Sequence, residues 1–396
     1  MKILVANLGS TSFKYRLFDM DSERQLARGG VERIGSPNSD CFVEIGNSHN
    51  EITAEVPDHG VAAQQCLDQL TDPETGCLQT SDEISAIGFK AVHGGRVSGV
   101  QRVTEDVLQA MTEMNQMAPA HNPPYIAAMR QLGERFPSLP LVAAFETGFH
   151  ATISEASRHY AIPKAWSDEL NVKRWGFHGA SHRFIAGRIN ELSKQPKPLR
   201  TISMHLGGSA SICAIKDGKS VATTMGMTPQ TGLPHNNRVG DFDAFAIPLI
   251  MDRLGKTLEE VLDDLSSQSG LLGMSGVSKD CRDLEIAAAE GNQDAQLALD
   301  MFIAEIRRHA SGMLFELGGL DALVFTAGIG ENGSLIRAGV CRDLKEFGIE
   351  LDESLNESAK GECQLQTADS KVEIWVIPTN EEIVVARQTK ELLETS

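Results

Sequence analysis

Basic residues are scarce in this chain. Lysine and arginine number 36 against 54 aspartates and glutamates, a net charge of −18 over 396 residues. That balance argues against a nucleic-acid partner. No apolar run approaches the roughly 18 residues that a membrane span needs; the longest pieces resemble residues 139–145. The first ten residues, MKILVANLGS, lack a long apolar core and enter a strand pattern at once, so no signal peptide is expected. The seven cysteines are odd in number, with no C-x-x-C pair and no Cys/His cluster at zinc spacing. Structural zinc and a disulfide framework are both disfavoured. No low-complexity tract stands out. What remains, 41% hydrophobic and 23% charged, is the profile of an acidic, cytoplasmic, globular enzyme or ATPase of two or three domains.

Strand-like runs alternate with helical ones, which reads as α/β. Helical patterns cover 107–114, 124–136, 182–192, 257–265 and 295–317. In the last, Leu297, Met301, Ile306 and Met313 fall near helical spacing, as a core or subunit-packing face would. There is also an internal echo. Residues 2–19 (KILVANLGSTSFKYRLFD) and 200–217 (RTISMHLGGSASICAIKD) match at Leu8 and Leu206, Gly9 and Gly207, and Asp19 and Asp217. Each copy reads as strand, small-residue turn, strand. Such a turn can aim backbone N–H groups and hydroxyls at an anion without side-chain obstruction. Two of them suit a polyphosphate gripped from two sides.

Several motifs carry chemistry, and each also has an ordinary structural reading. Asn7-Leu8-Gly9-Ser10-Thr11-Ser12-Phe13-Lys14 offers three hydroxyls and a lysine to a phosphate, and the Asn7 amide to a metal-bound water; it also reads as a Ser-rich hairpin. Residues 328–333 (GIGENG) fit G-x-G-x-x-G after an apolar strand, with Glu350 where a ribose-binding acid would fall, so a dinucleotide site is a rival. His178 and His182 are four apart and share a helical face; H-G-A-S-H lacks the glutamate of a zinc-peptidase motif, and a histidine donating to a phosphoryl oxygen is the better reading. Arg238 is either a clamp for carboxylate or phosphate or a surface partner of Asp241 or Asp243. Glu381 and Glu382 either hold a divalent cation or begin a helix.

Taken in order, NLGSTSFKY (7–15), VHGG (92–95), HNPP (121–124), FETGFH (145–150), GFHGASH (176–182), HLGGSAS (205–211), TMGMTPQTGL (224–233), NRVGDFD (237–243), SGLLGMSGVSKDCRD (269–283), FTAGIGENG (325–333) and IPTNEE (377–382) resemble the acetate/propionate kinase family over nearly the whole chain. The resemblance implies α/β architecture with two related actin-like, ribonuclease H-like domains around a nucleotide cleft, and it settles the dinucleotide rival. It implies domains at 1–147 with a returning 383–396, and at 148–382, the second nucleotide-binding and dimerising. It implies phosphoryl transfer between ATP and acetate or a slightly larger acid, with magnesium or manganese, in a cytoplasmic homodimer without nucleic-acid or membrane partners.

Residue by residue, the resemblance gives Asn7 and Glu381 to the metal, and Ser10, Ser12 and Lys14 to the nucleotide phosphates. His205, Leu206, Gly207, Gly208 and Ser209 form a second phosphate loop. Asp280, Cys281 and Arg282 hold adenosine with Gly328, Ile329, Gly330, Glu331 and Asn332. Glu146, His178 and Arg238 are catalytic, and Lys90, Val92, Ala120, Phe177 and Pro229 receive the acid.

The chain departs from the family pattern in five places. Lys90 replaces an arginine and loses its two-pronged donor. Glu146 replaces an aspartate and reaches about 1.5 Å further, enough to disturb alignment; the two changes are expected to compensate by pairing. Gly208-Ser209 replaces the family's Asn-Gly, Ala222 an aspartate, and Ala120 a pocket leucine. The last is expected to widen the acyl pocket. A kinase with a changed acceptor or donor, and a catalytically weak nucleotide-binding member, are the alternative readings.

Overall fold

The computed structural model describes residues 1–119 and 121–395. Two compact units divide the chain. The first joins Met1–Gly148 to the segment from Asn380 onward; the second is Phe149–Thr379. The chain returns to the first unit at Asn380, three residues before the expected point, because the C-terminal helix Glu381–Thr395 starts there and buries Ile383, Val384, Val385 and Ala386. Glu381 therefore belongs to the first unit.

The first unit is built on an eight-stranded sheet of order β5-β4-β3-β2-β1-β6-β8-β7. Its strands are β1 (Lys2–Gly9), β2 (Ser12–Asp19), β3 (Arg24–Glu32), β4 (Ser39–Ile45), β5 (Ser48–Ala54), β6 (Ile84–Ala91), β7 (Val100–Arg102) and β8 (Leu141–Phe145). β1 to β5 run as an antiparallel meander, while β1, β6 and β8 are parallel. Helices α1 (His59–Leu70), α2 (Glu105–Glu113) and α3 (Asn122–Arg135) supply apolar faces to a core around Phe13, Leu17, Leu70, Ile87 and Phe89. α3 starts two residues before the periodic run, with Pro123 and Pro124 in its first turn, where an amide hydrogen has no partner to lose.

The second unit carries a six-stranded sheet of order β11-β10-β9-β12-β14-β13. Its strands are β9 (Arg200–Leu206), β10 (Ala210–Lys216), β11 (Lys219–Thr223), β12 (Ala322–Thr326), β13 (Cys363–Gln364) and β14 (Glu373–Val376). The echo is topological as well as sequential. In both sheets an antiparallel hairpin (β1–β2, β9–β10) leads into parallel neighbours (β6 and β8, β12 and β14). The two turns stand at matching places, closed by Gly9↔Ser12 and Leu206↔Ala210.

Four further helices matter here: α4 (Gly179–Leu192), α5 (Ile247–Leu254), α6 (Leu258–Ser267) and the long α7 (Gln293–Leu317). α7 is capped by Asn292 and stopped by left-handed Gly318. Its apolar stripe is spent inside the unit, where Leu299, Phe302, Ile306, Met313 and Leu317 join the core. It fills the core role expected of it, while Leu297 and Phe315 of the same helix are exposed, the latter at 84%. Further exposed apolar side chains include Phe242, Phe245 and several along α5–α6. No helix among the described residues is long and apolar enough to cross a membrane.

The G-x-G-x-x-G run is not a loop. β12 passes directly into α8 (Ala327–Asn332), followed by α9 (Ser334–Cys341). A single side chain of α9 fastens this segment. Arg337 is 1% exposed and donates to the Gly330 and Glu331 carbonyls at 3.0 and 2.9 Å, and to Asn356 Oδ1 and O at 2.7 and 2.8 Å. Arg337→Met leaves four acceptors without that donor. It is expected to destabilise the protein by about 3 kcal/mol or more, measured by urea denaturation, with the exposed Arg342→Met as a near-neutral control.

Candidate active site

In the first unit, the β1–β2 turn and the ends of β6, β8 and the C-terminal helix carry the expected residues. Asn7 is exposed on β1, and its Oδ1 accepts the Tyr125 hydroxyl at 3.1 Å while that hydroxyl accepts the Leu8 N–H at 3.2 Å. Tyr125 thus fixes the Asn7 amide. A cavity of about 320 Å³ opens beside it, lined in part by Asn7, Lys14, Arg16 and Glu382. Lys14 pairs with Glu32 at 2.8 Å, and Arg16 with Glu382 at 3.7 Å. Ser10 is exposed and Ser12 half-buried; neither lines that cavity.

Lys90 lies between two acids. Its Nζ is 2.6 Å from Glu381 Oε2 and 4.0 Å from Glu146 Oε1. Burial would pull the ammonium down, but the charges of Glu381 and Glu146 outweigh it and hold Lys90 above the ordinary lysine range. The expected Lys90–Glu146 pair is therefore a trio, and its shorter bond goes to Glu381. The donors that the first unit offers (the Asn7 amide oxygen, Glu146, Glu381 and Glu382) are all oxygen. Among the described residues no group of three His, Cys, Asp or Glu makes a ready cage. Such a set fits magnesium, which keeps waters and takes a few protein oxygens plus phosphates.

In the second unit the histidines gather around one helix start. His178 caps α4 in the left-handed region (φ 55°), and its ring stacks on that of His205, centroids 4.1 Å apart and planes 26° apart. His178 Nδ1 meets Ser211 Oγ at 2.8 Å, and His205 Nδ1 meets Ser181 Oγ at 2.8 Å. His182 lies between Ser203 and Ser211, at 2.9 and 2.8 Å. His150 bonds Ser220 Oγ and the Phe177 carbonyl, both at 2.9 Å. Gly176 (φ +74°) makes this packing feasible, since a Cβ there would collide with the His150 ring. Burial pushes His150 down to about 4 and His182 well below the usual histidine value, so both rings are neutral.

Arg238 Nη1 donates to the Pro229 carbonyl at 3.1 Å and to Ser209 Oγ at 3.3 Å, and burial lowers its pKa. It is therefore no partner of Asp241 or Asp243. A neighbouring cavity of about 490 Å³ gathers most of the expected adenosine and phosphate residues: Gly207, Gly208, Asp280, Cys281, Arg282, Gly328, Ile329 and Asn332. His205, Leu206, Ser209, Gly330 and Glu331 do not line it. Leu206 is buried, and Gly330 and Glu331 are turned to Arg337 through their carbonyls. Glu350 is also elsewhere, paired with Lys345 at 2.8 Å. Asp280 and Arg282 engage each other, which holds the Asp280 carboxyl down at about 2.

The acid-binding residues divide between the units. Val92 is half-buried in the first, buried Phe177 and half-buried Pro229 are in the second, and Ala120 lies outside the described residues. Residues that the sequence motifs did not single out include Tyr125, the serines bonded to the histidines, and Asn236. The last lines the 490 Å³ cavity, with its amide against Gly208, where a Cβ would sit 3.2 Å from Asn236 Nδ2. The doubled asparagine before Arg238 was the available signal.

A model of the acetokinase family matches residues 2–387. The chain belongs to that family. Among curated relatives, acetate kinases of Halothermothrix orenii and Geobacillus kaustophilus are 41% and 42% identical, over 100% and 99% of both chains. Among solved structures, Porphyromonas gingivalis acetate kinase superposes with a TM-score of 0.91 at 36% identity over 99% of both chains. A propionate kinase from Francisella tularensis gives 0.89 at 33% over 98% of both. The two mixed sheets are accordingly the two actin-like domains of an acetokinase, a phosphotransferase whose acceptor is a carboxyl group.

The buried neutral histidines give this acetokinase an acid-side weakness. His235 joins His150 and His182, pushed down to about 3 by burial and the nearby Arg238 charge. An unfolded histidine takes up its proton near 6.5, while these three refuse it in the fold, so the unfolded state binds more protons below that value. Stability should fall by about 1 kcal/mol per histidine between pH 7 and 5.5. Thermal unfolding across that range checks it, and His150→Gln should flatten the slope by about one proton.

Proposed function

We propose that this acetokinase is a magnesium-dependent acetate kinase that transfers a phosphoryl group between ATP and acetate or a slightly larger short-chain acid. The observation that carries the reading is the stacked His178–His205 pair, in the same unit as Arg238 and the Gly207–Asn332 cavity. A carboxylate oxygen of the acid attacks the γ-phosphorus, the bond to the bridging oxygen breaks, and ADP leaves with the electron pair. Such a transfer asks mainly for alignment and charge neutralisation.

His178 and Arg238 are the donors to the moving phosphoryl oxygens. Lys14, with Ser10 and Ser12, serves the nucleotide phosphates on the first unit, and the loop His205–Ser209 serves them on the second. Asp280–Arg282 and Gly328–Asn332 hold adenosine. Asn7 and Glu381 would hold magnesium, which when bound neutralises charge on the phosphate oxygens. Lys90, pinned by Glu381 and Glu146, supplies a cation beside the acceptor carboxylate. Val92, Ala120, Phe177 and Pro229 are the residues proposed to receive the acyl group.

We also propose a homodimer. Phe245 and Leu254 are 92% and 65% exposed, and Leu249, Leu258 and Leu262 continue the same stretch of the second unit. Exposed apolar side chains in that number suit a partner surface. A cytoplasmic setting agrees with the acidic charge and with seven free thiols. One observation favours a shifted acceptor as the second reading: Lys90 offers a single ammonium, already engaged by Glu381.

The test is ADP release from magnesium-ATP with formate, acetate, propionate, butyrate and no acid, trapping acyl phosphate with hydroxylamine. Acid-dependent ADP with matching hydroxamate is expected. Folded protein that binds ATP and is silent with every acid would favour the second reading. Ala120→Leu is expected to lower kcat/KM for propionate relative to acetate by about tenfold, a methylene's worth of pocket discrimination. An unchanged ratio would remove Ala120 from the acyl pocket.

A further inference from the structure

Buried hydroxyls join the histidines of the second unit, and the direction of each hydrogen bond can be deduced. Ser203 on β9 and Ser211 on β10 are both 0% exposed. Ser211 Oγ is 2.8 Å from His178 Nδ1 and 2.8 Å from His182 Nε2. A hydroxyl has one proton and two lone pairs, so it can donate to at most one of these rings. Ser203 Oγ is 2.9 Å from His182 Nδ1 and has no other hydrogen-bond partner among the described residues. His182 is fully buried with no acid beside it, and it carries a single ring proton.

Three arrangements obey these counts. In one, Ser203 donates to His182 Nδ1, His182 Nε2–H donates to Ser211, and Ser211 donates to His178 Nδ1. Every polar hydrogen then has an acceptor. In the second, all three bonds reverse, and the Ser203 proton is left buried without an acceptor. In the third, Ser211 accepts from both rings and its own proton is left without one. Leaving a buried donor unmade disfavours each of the last two roughly tenfold to a hundredfold. Ser181 repeats the logic. It is 0% exposed, its hydroxyl meets only His205 Nδ1 among the described residues, at 2.8 Å, and it therefore donates there.

We propose that Ser203, His182 and Ser211 form a directional relay that holds His178 in its Nε2–H tautomer, while Ser181 holds His205 in the same form. The stacked pair then carries its ring protons on Nε2, beside the β9–β10 turn, where His205 Nε2 stands 3.8 Å from a Cβ placed on Gly207. The use of these donors rests on the reading in which His178 meets the transferring phosphoryl group; a ring presenting a lone pair there would repel its oxygens. Ser203, His182 and Ser211 act through His178 and are positioning residues.

Ring-nitrogen shifts of nitrogen-15-labelled protein near neutral pH read the tautomers directly, with assignments from His178→Gln, His182→Gln and His205→Gln. His178, His182 and His205 are expected as Nε2–H. Ser203→Ala leaves His182 Nδ1 without a partner in either direction, as a bare acceptor or as an orphan N–H, so the bias is lost and both His182 and His178 should become tautomer mixtures. Ser211→Ala should affect His178 alone, because Ser203 still orients His182. Ser203→Thr should restore the wild-type pattern. In parallel, kcat for acetate-dependent ADP release should fall about two- to tenfold in Ser203→Ala, following the lost competent population, with KM nearly unchanged and Thr rescuing it. A wild-type His178 with its proton on Nδ1, or one that ignores Ser203→Ala, would overturn the relay. A tautomer that shifts while kcat holds would keep the relay and overturn the reading of His178 as a phosphoryl donor.

Discussion

Polar groups taken out of water must find partners within the protein, and in the second unit that constraint shapes the site. Strand residues alternate between faces with period two, so Ser203 and His205 of β9 share a face. Ser211 of β10 lies directly across from His205 in the register. Helical residues three and four apart share a face, so α4 brings Ser181 and His182 together below His178 at its cap. Where the two periodicities meet, His178, His182 and His205 each find a hydroxyl. The hydroxyls stand at fixed strand and helix positions, so the rings have little freedom to turn. A rigid pair of donors costs less reorganisation during charge transfer than a mobile one.

The first unit solves a different problem. Its cation sits on the last turn of a parallel strand, where carboxylates from two other elements converge. Lys90 is 24% exposed, while Glu146 and Glu381 are 6% and 17% exposed. An ammonium buried alone would lose its proton; between two acids it keeps it. The first unit thus presents a compact point charge, whereas the second presents a guanidinium, Arg238, desolvated against Pro229 and Ser209. Lysine and arginine differ in what they recognise, since one is a single charge and the other a planar fork.

The cavity of about 490 Å³ shows how a small residue is accommodated. Gly208 brings no side chain to the cavity, and Asn236 brings an amide to the same place, tied by its backbone N–H to the Gly208 carbonyl at 3.3 Å. A larger residue at 208 would press on that amide. The α8 segment is fixed from behind by Arg337, which leaves Gly328, Ile329 and Asn332 facing the cavity. Cavity lining and structural anchoring are therefore split between two sides of one short helix.

By itself the sequence determined the α/β alternation, the two hairpin turns and the motif order, because periodicity and small-residue turns are local properties. The five helical patterns that were read were legible to within two or three residues; their starts were missed where capping and first-turn prolines, rather than apolar spacing, decide the boundary. Residues acting through distant partners were not legible. Nothing local in Ser203, Ser211 or Tyr125 announces a bond to His182, His178 or Asn7, because those pairs are brought together by strand register and helix packing. Nor does the sequence tell that Lys90 bonds Glu381, 291 residues away, more closely than Glu146. Tertiary structure alone decided those partners, since hydrogen bonds and ion pairs depend on distances of a few ångströms that sequence separation does not encode.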